Sequence, residues 1–107
     1  MDQNTIMKYR MMNKFFNGFS DYSRLIIFAL LLDGEKTVTE IIEASGFSQS
    51  KVSNHLKCLR ETNLVNSNQE GKYVVYSIKD EKIKQILELA DACITQQTEE
   101  QWNCMQY

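Results

Sequence analysis

The chain has 107 residues, a length that suits one small domain with a single hydrophobic core. Hydrophobic residues make up 43% and charged residues 24%, which is ordinary for a globular protein, and no apolar run is long enough to span a bilayer. The net charge of −2 argues against indiscriminate binding to nucleic acid. Composition therefore excludes a transmembrane protein and a uniformly basic one.

Charge is distributed unevenly along the chain. Residues 48–79 carry five basic and two acidic side chains, whereas residues 80–107 carry two basic and six acidic ones. A local positive patch is sufficient for contacts to phosphates, and affinity of that kind is sensitive to salt. The middle of the chain is therefore the part that can bind DNA.

Three cysteines, an odd number with no repeated spacing, do not form a disulfide framework and indicate reduced thiols. No basic segment with a cleavage site precedes the apolar residues 25–32, which is typical of a protein that stays in the cytoplasm. We predict one cytoplasmic domain over residues 1–107 that has no membrane partner. Dimerisation would enlarge its small core.

The first predicted helix covers residues 5–19 and has large apolar side chains near helical spacing. These side chains are Ile6, Met7, Met11, Phe15, Phe16 and Phe19. We expect the helix to pack partly on the core and partly on a second subunit. Ordinary core packing is an equally open interpretation.

Two further helices precede the polar middle of the chain. Ser20 or Asp21 caps the second helix, whose residues 25–32 make it the central core helix. Thr37–Glu40 has the pattern of a capping box and begins a short third helix, and Gly46 ends it.

Residues 48–65 predict a recognition helix. Ser48 is a good N-cap, and Val52, Leu56 and Leu59 recur at the spacing of one buried stripe. The outward face is rich in donors and suits the major groove, although a merely solvated surface helix is the alternative. The residues that we expect to contact DNA, on this helix and on the turn that follows, are Ser48, Gln49, Ser50, Lys51, Ser53, Asn54, His55, Lys57, Arg60, Lys72 and Tyr73.

A β-hairpin follows the recognition helix. Asn63 can close that helix in the left-handed conformation, residues 69–72 are a turn signal, and residues 73–78 alternate with period two. Two helices followed by a hairpin are typical of a winged helix-turn-helix. We therefore predict a mainly α (α+β) fold with about five helices and a two-stranded hairpin wing.

The last predicted helix begins at Asp80 and has an apolar stripe over four turns. The stripe consists of Ile83, Ile86, Leu87, Ala90, Cys93 and Ile94. With the first helix it could form a seam between two subunits, so that residues 5–19 and 80–96 dimerise. The tail, residues 97–107, is polar, and we expect it to be flexible.

Three segments resemble the ArsR/SmtB family of bacterial metal-responsive repressors. They are FSDYSRLIIFALLL (19–32), FSQSKVSNHLKCLRETNLV (47–65) and QEGKYVVYSI (69–78). The resemblance implies a dimeric winged helix whose first and last helices form the seam, and which leaves operator DNA when a metal or metalloid binds. Tyr22 stands where the family pattern usually has proline, and Asn63 where it usually has glycine.

Within that family the cysteines resemble those of the CmtR type, which responds to cadmium and lead. Cys58 takes its first thiolate position and Cys104 the position in the tail of the partner subunit, but Thr62 occupies the second thiolate position. Cys93 could supply the missing thiolate, but because it lies on the apolar stripe of the last helix we favour its interpretation as a small buried residue and leave ligation open. Two other sites that the resemblance implies are missing. The thiol pair of arsenic and cadmium sensors would fall near residues 39–43, which contain no cysteine, and the Asp/His site of zinc sensors would need histidines after Asp80, where there are none.

The expected inducer is therefore Cd(II) or Pb(II), since soft ions prefer thiolates, with As(III) as an alternative at the same thiols. The same cysteines could instead serve a redox or persulfide sensor, and a protein-interaction module is a further interpretation of the chain. No organic cofactor is expected. The only histidine lies on the predicted DNA face, and no glycine-rich phosphate loop is present, so we do not expect an enzyme.

Overall fold

The computed structural model describes residues 1–96, which form five helices and one small antiparallel sheet. The helices are α1 (Gln3–Asn17), α2 (Tyr22–Leu32), α3 (Val38–Ser45), α4 (Gln49–Glu61) and α5 (Glu81–Thr95). The strands are β1 (Lys36–Thr37), β2 (Val65–Glu70) and β3 (Tyr73–Ile78). The predicted order of helices and hairpin is confirmed.

Each helix begins after a residue whose side-chain oxygen accepts a hydrogen bond from the backbone N–H three positions later. These residues are Asp2, Asp21, Thr37, Ser48 and Asp80. Because Asp2 caps α1, this helix starts two residues earlier than its apolar stripe predicted, and it also ends two residues earlier, at Asn17. At α3 the Thr37–Glu40 capping box is complete in both directions, as predicted.

The core lies between α2, α3, α4 and the hairpin. Ile27 and Phe28 of α2 are fully buried, which confirms α2 as the central helix. The buried cluster consists of Ile27, Phe28, Leu31, Ile41, Val52, Leu56, Leu59, Leu64, Val65 and Ile83.

The sheet has three strands in the order β1-β3-β2, one strand more than predicted. Lys36 and Thr37 of β1 pair with Tyr76 and Val75 of β3, so Thr37 ends a strand and also caps α3. Gly71 is in the left-handed region, with φ of 61°, and makes the tight turn between β2 and β3 possible.

Both terminal helices expose apolar side chains. No residue of α1 is buried, although Phe15 packs against the core, and Ile83 is the only buried residue of α5. Cys93 is exposed, so its interpretation as a small buried residue is wrong for the single chain.

No single helix within residues 1–96 is long and apolar enough to cross a membrane. Helices α1 and α2 meet that criterion only as a pair, and the pair is bent by 82°.

Candidate nucleic-acid interface and thiol positions

The turn between α3 and α4 fixes the start of the recognition helix. Gly46 adopts φ of 76°, and its N–H donates to the Ile42 carbonyl, which ends α3. Phe47 packs against the core, and Ser48 then caps α4 by accepting from the Lys51 N–H at 3.2 Å. Two helices joined by so short a turn make a helix-turn-helix.

The polar face of α4 is the candidate DNA-contacting surface. Val52, Leu56 and Leu59 are fully buried, so the remaining face of the helix points to solvent. Its exposed polar residues are Gln49, Ser50, Lys51, Ser53, Asn54, Lys57 and Arg60, with the acidic Glu61 as the last residue of the helix. The first turn contains no acidic residue. Amide and hydroxyl groups can bond base edges, while the cations can bind phosphates.

His55 departs from the predicted outward face. Its side chain is 19% exposed, and its Nε2 atom lies 3.9 Å from Oδ1 of Asp21. Because His55 directly precedes Leu56 and follows Val52 by three positions, helical geometry places it at the edge of the buried stripe. It faces the start of α2.

The far end of α4 has the hydrogen bonds of a Schellman motif. Asn63 has φ of 60°, as predicted, its N–H donates to the Arg60 carbonyl, and the Leu64 N–H donates to Leu59. The chain therefore ends α4 at this point and continues into β2.

Two lysine–aromatic pairs lie near the candidate surface. In the first pair, at the start of α4, Lys51 Nζ lies 4.4 Å from the Phe47 ring centroid.

The second such pair is in the wing. Lys72 and Tyr73 are both exposed beside the turn, with Lys72 Nζ 5.3 Å from the Tyr73 ring centroid. The structure thus places both predicted wing residues at an accessible tip.

The thiol positions lie on different elements. Cys58 is half-buried on α4, Cys93 is exposed on α5, and Cys104 lies outside the described residues. The Thr62 hydroxyl donates to the Cys58 carbonyl at 3.0 Å and contacts the Leu59 carbonyl at 3.3 Å. Within residues 1–96 no three histidine, cysteine or acidic side chains gather as a metal site.

An open groove lies beside the end of α4. It has a volume of about 310 Å³ and is lined by residues from α1 and from the last turn of α4. These are Met11, Lys14, Phe15, Glu61, Thr62 and Asn63. A segment of chain could therefore approach Thr62, one turn after Cys58, without displacing the core.

Sequence comparison shows which family has this arrangement. A sequence model of the arsR family of bacterial regulatory proteins matches residues 21–67, from the cap of α2 into β2. An arsenical resistance operon repressor of Bacillus subtilis is 30% identical over 95 residues, which cover 88% of this chain and 90% of the relative. The chain belongs to the arsR family. It is therefore a regulatory protein and not an enzyme, as predicted.

Two other relatives are longer than this chain. A probable mercury resistance operon repressor of Streptomyces lividans is 36% identical over 72% of this chain and 62% of its own length. A cadmium resistance regulatory protein, a CadC homologue of Staphylococcus aureus, is 36% identical over 72% of this chain and 64% of its own length. The chain thus spans less than two thirds of these two relatives.

A solved structure confirms the winged helix-turn-helix architecture of this arsR-family chain. A homodimeric winged helix-turn-helix domain from Mycobacterium bovis superposes with a TM-score of 0.83, over 89% of this chain and 88% of that one. Sequence identity is 23%, so the likeness concerns the fold.

One feature of the site was not predicted from the sequence. Arg24 of α2 donates from Nε to the Gly18 carbonyl and from Nη2 to the Asn17 carbonyl, both at 2.9 Å. It thereby caps the end of α1. An arginine in the first turn of an otherwise apolar helix was the available signal.

Proposed function

We propose that the chain is a cytoplasmic, homodimeric repressor that binds operator DNA and is released when a soft metal ion binds cysteine thiolates. The observation that carries this proposal is the composition of α4. One helix has an exposed face of amide, hydroxyl and cationic groups and, one turn before its end, a half-buried thiol at Cys58. DNA and thiol ligand would therefore act on the same element.

The DNA-binding part of the proposal rests on shape and charge. At about 1.5 Å per residue, the 13 residues of α4 are about 20 Å long, which suits insertion of the N-terminal half into a major groove. Asn54 and Gln49 are the candidates for base contacts, because carboxamides can bond adenine edges. Lys57, Arg60 and Lys72 are the candidates for phosphate contacts.

The dimerisation part of the proposal rests on the exposed apolar faces of α1 and α5. Met7, Met11, Phe16 and Leu89 are each at least half exposed in the single chain. We infer that residues 5–19 and 80–96 pair with those of a second copy, within one domain over residues 1–107. Two recognition helices would then reach successive major grooves.

The metal-binding part of the proposal assigns Cys58 of one subunit and Cys104 of the other as thiolate ligands. Cys93 is the candidate third ligand. Thr62 does not replace a thiolate, because its hydroxyl is bonded to backbone carbonyls. Cd(II) and Pb(II) are the ions expected from the resemblance to the CmtR type. Relatives named for mercury, cadmium and arsenic resistance support an inducer that prefers sulfur.

Release follows if metal and DNA favour different conformations of the dimer. Binding of the tail thiolate to α4 would draw residues 97–107 toward the last turn of the recognition helix. A dimer held in that conformation would no longer match two successive grooves, so each ligand lowers the affinity of the other.

The test is displacement of a fluorescent promoter duplex from the dimer by Cd(II) or Pb(II), measured by anisotropy, with thiolate-to-metal absorption recorded in parallel. We expect Cys58→Ser and Cys104→Ser each to bind DNA but to resist release, and Cys93→Ser to show whether a third thiolate takes part. Release that survives in both of the first two variants contradicts the site assignment. Release by arsenite, or by an oxidant without metal, would select one of those inducers instead.

A further inference from the structure

The middle of the recognition helix is connected to the end of α1 by a chain of polar contacts. His55 of α4 faces Asp21, the N-cap of α2, at 3.9 Å between Nε2 and Oδ1. Asp21 Oδ1 accepts from the Arg24 N–H at 3.0 Å, and the Arg24 guanidinium donates to the carbonyls that end α1. Three helices therefore meet at one cluster.

Asp21 is the acceptor at the centre of this cluster. The hydrogen bond from the Arg24 N–H, followed by the charge of the Arg24 guanidinium, holds the pKa of Asp21 below its usual range, so Asp21 carries its negative charge at neutral pH. His55 is 19% exposed, which leaves it poorly placed to reach a base edge. The polar side chain that His55 faces, that of Asp21, belongs to the N-cap of α2.

We propose that His55 is a positioning residue, which fixes the recognition helix against the α1–α2 corner through Asp21 and does not itself bind DNA. The inference deepens the proposed function and rests on it, because operator affinity is its main readout. Through Arg24 the same cluster touches α1, the helix assigned to the dimer seam. His55 would thereby help to set the spacing between the two recognition helices.

The test is a double-mutant cycle on operator affinity with His55→Ala and Asp21→Asn. Asparagine is as good an N-cap as aspartate, so Asp21→Asn removes the charge while retaining the cap of α2. We expect each single variant to weaken operator binding by about five- to tenfold, and the double variant to be no weaker than either single one. His55→Gln, whose carboxamide is long enough to reach Asp21, should restore most of the affinity.

Two controls separate this inference from the proposed function. Lys57→Ala removes a candidate phosphate contact and should weaken specific and non-specific duplexes alike. Amide hydrogen exchange of α4 without DNA should accelerate equally in His55→Ala, Asp21→Asn and the double variant.

The outcomes are distinguishable. Multiplicative losses in the cycle, with unchanged exchange in α4, overturn the inference and assign His55 to direct DNA contact, while the repressor proposal stands. If the wild type binds no promoter duplex, the proposed function fails. Coupled exchange would then still support the positioning contact, and uncoupled exchange would overturn it as well.

Discussion

At the scale of single residues, Gly18 determines how closely α1 approaches the end of α4. Gly18 is buried, and a Cβ atom added there would overlap Cδ1 of Leu64 and lie 3.3 Å from Oγ1 of Thr62. Leu64 is fully buried, so its side chain has little room to move. The absence of a side chain at position 18 therefore allows the end of α1 to pack directly against Leu64 and Thr62.

Replacing Gly18 by alanine should destabilise the fold by about 1–3 kcal/mol, because overpacking of Leu64 outweighs the entropic gain of alanine. Urea denaturation followed by circular dichroism measures the change. Ser20→Ala, at an exposed position nearby, is the control and should change stability by less than about 0.5 kcal/mol. Equal stability of Gly18→Ala and wild type would contradict the packing.

Replacing Thr62 by cysteine tests the proposed metal site by adding a thiolate ligand. Thr62→Cys would place a second thiolate one turn after Cys58, at the cost of two hydroxyl contacts to carbonyls. We expect tighter Cd(II) binding and a larger thiolate-to-metal absorption per ion than in the wild type. Competition with a chromophoric chelator gives the affinity. An unchanged affinity and spectrum would mean that position 62 does not face the metal.

At the scale of elements, the boundaries of α2, α3 and α4 were predictable because their signals are local, whereas the Asp2 cap of α1 was missed. Asp21, Ser48, Gly46 and Asn63 each act within one turn of their own position, so the sequence around them is sufficient. Strand β1 was not predictable, since two residues have no periodicity and pair with β3 some 40 positions later.

The candidate site was predictable only in part. The exposed face of α4 follows from helical periodicity, and all of its predicted residues except His55 are exposed. His55 lies at the edge of the buried stripe, where the outcome depends on Asp21 of another helix. The exposure of Cys93 likewise depends on which parts of α5 the rest of the fold covers.

Helix capping predicts how stability depends on pH. Backbone hydrogen bonds hold the pKa values of Asp2, Asp21 and Glu40 below their ordinary values of 3.8, 3.8 and 4.5. A carboxylate with a lowered folded-state pKa stabilises the fold fully above its ordinary pKa, and this contribution is lost as pH falls through the folded-state value.

These three groups should therefore leave stability unchanged between pH 7 and about pH 5.5 and lower it below about pH 4.5. Urea midpoints recorded at each pH measure the dependence. Asp21→Asn, which retains the cap but does not titrate, should flatten the acid limb. An acid limb of the same steepness in this variant would contradict a contribution from Asp21.

At the scale of the whole molecule, exposed apolar surface is concentrated on the two terminal helices. Leu89 of α5 is 66% exposed and Met11 of α1 is also 66% exposed, which is costly for a chain that remains a monomer. The basic segment, residues 48–79, lies between these helices in the sequence and contains both α4 and the wing. This distribution suits a dimer that presents two basic surfaces to DNA.

Leu89→Glu should convert the dimer to a monomer with unchanged helix content, because it would place a charge in the proposed seam. Sedimentation equilibrium measures the mass, and anisotropy should show operator affinity reduced by at least about tenfold. Leu89→Met, which keeps an apolar side chain of similar volume at the same position, is the control and should leave the dimer intact. A dimeric Leu89→Glu variant would exclude this face of α5 from the seam.

The most direct measurement is the coupling between Cd(II) and operator DNA in one titration. Because linkage is reciprocal, Cd(II) should weaken operator affinity, and operator should weaken Cd(II) affinity, by the same factor, which we expect to be at least about tenfold. The same titration on Cys58→Ser should yield a factor near one with DNA affinity retained. Equal operator affinity of the metal-free and Cd(II)-loaded wild-type dimers would contradict the account.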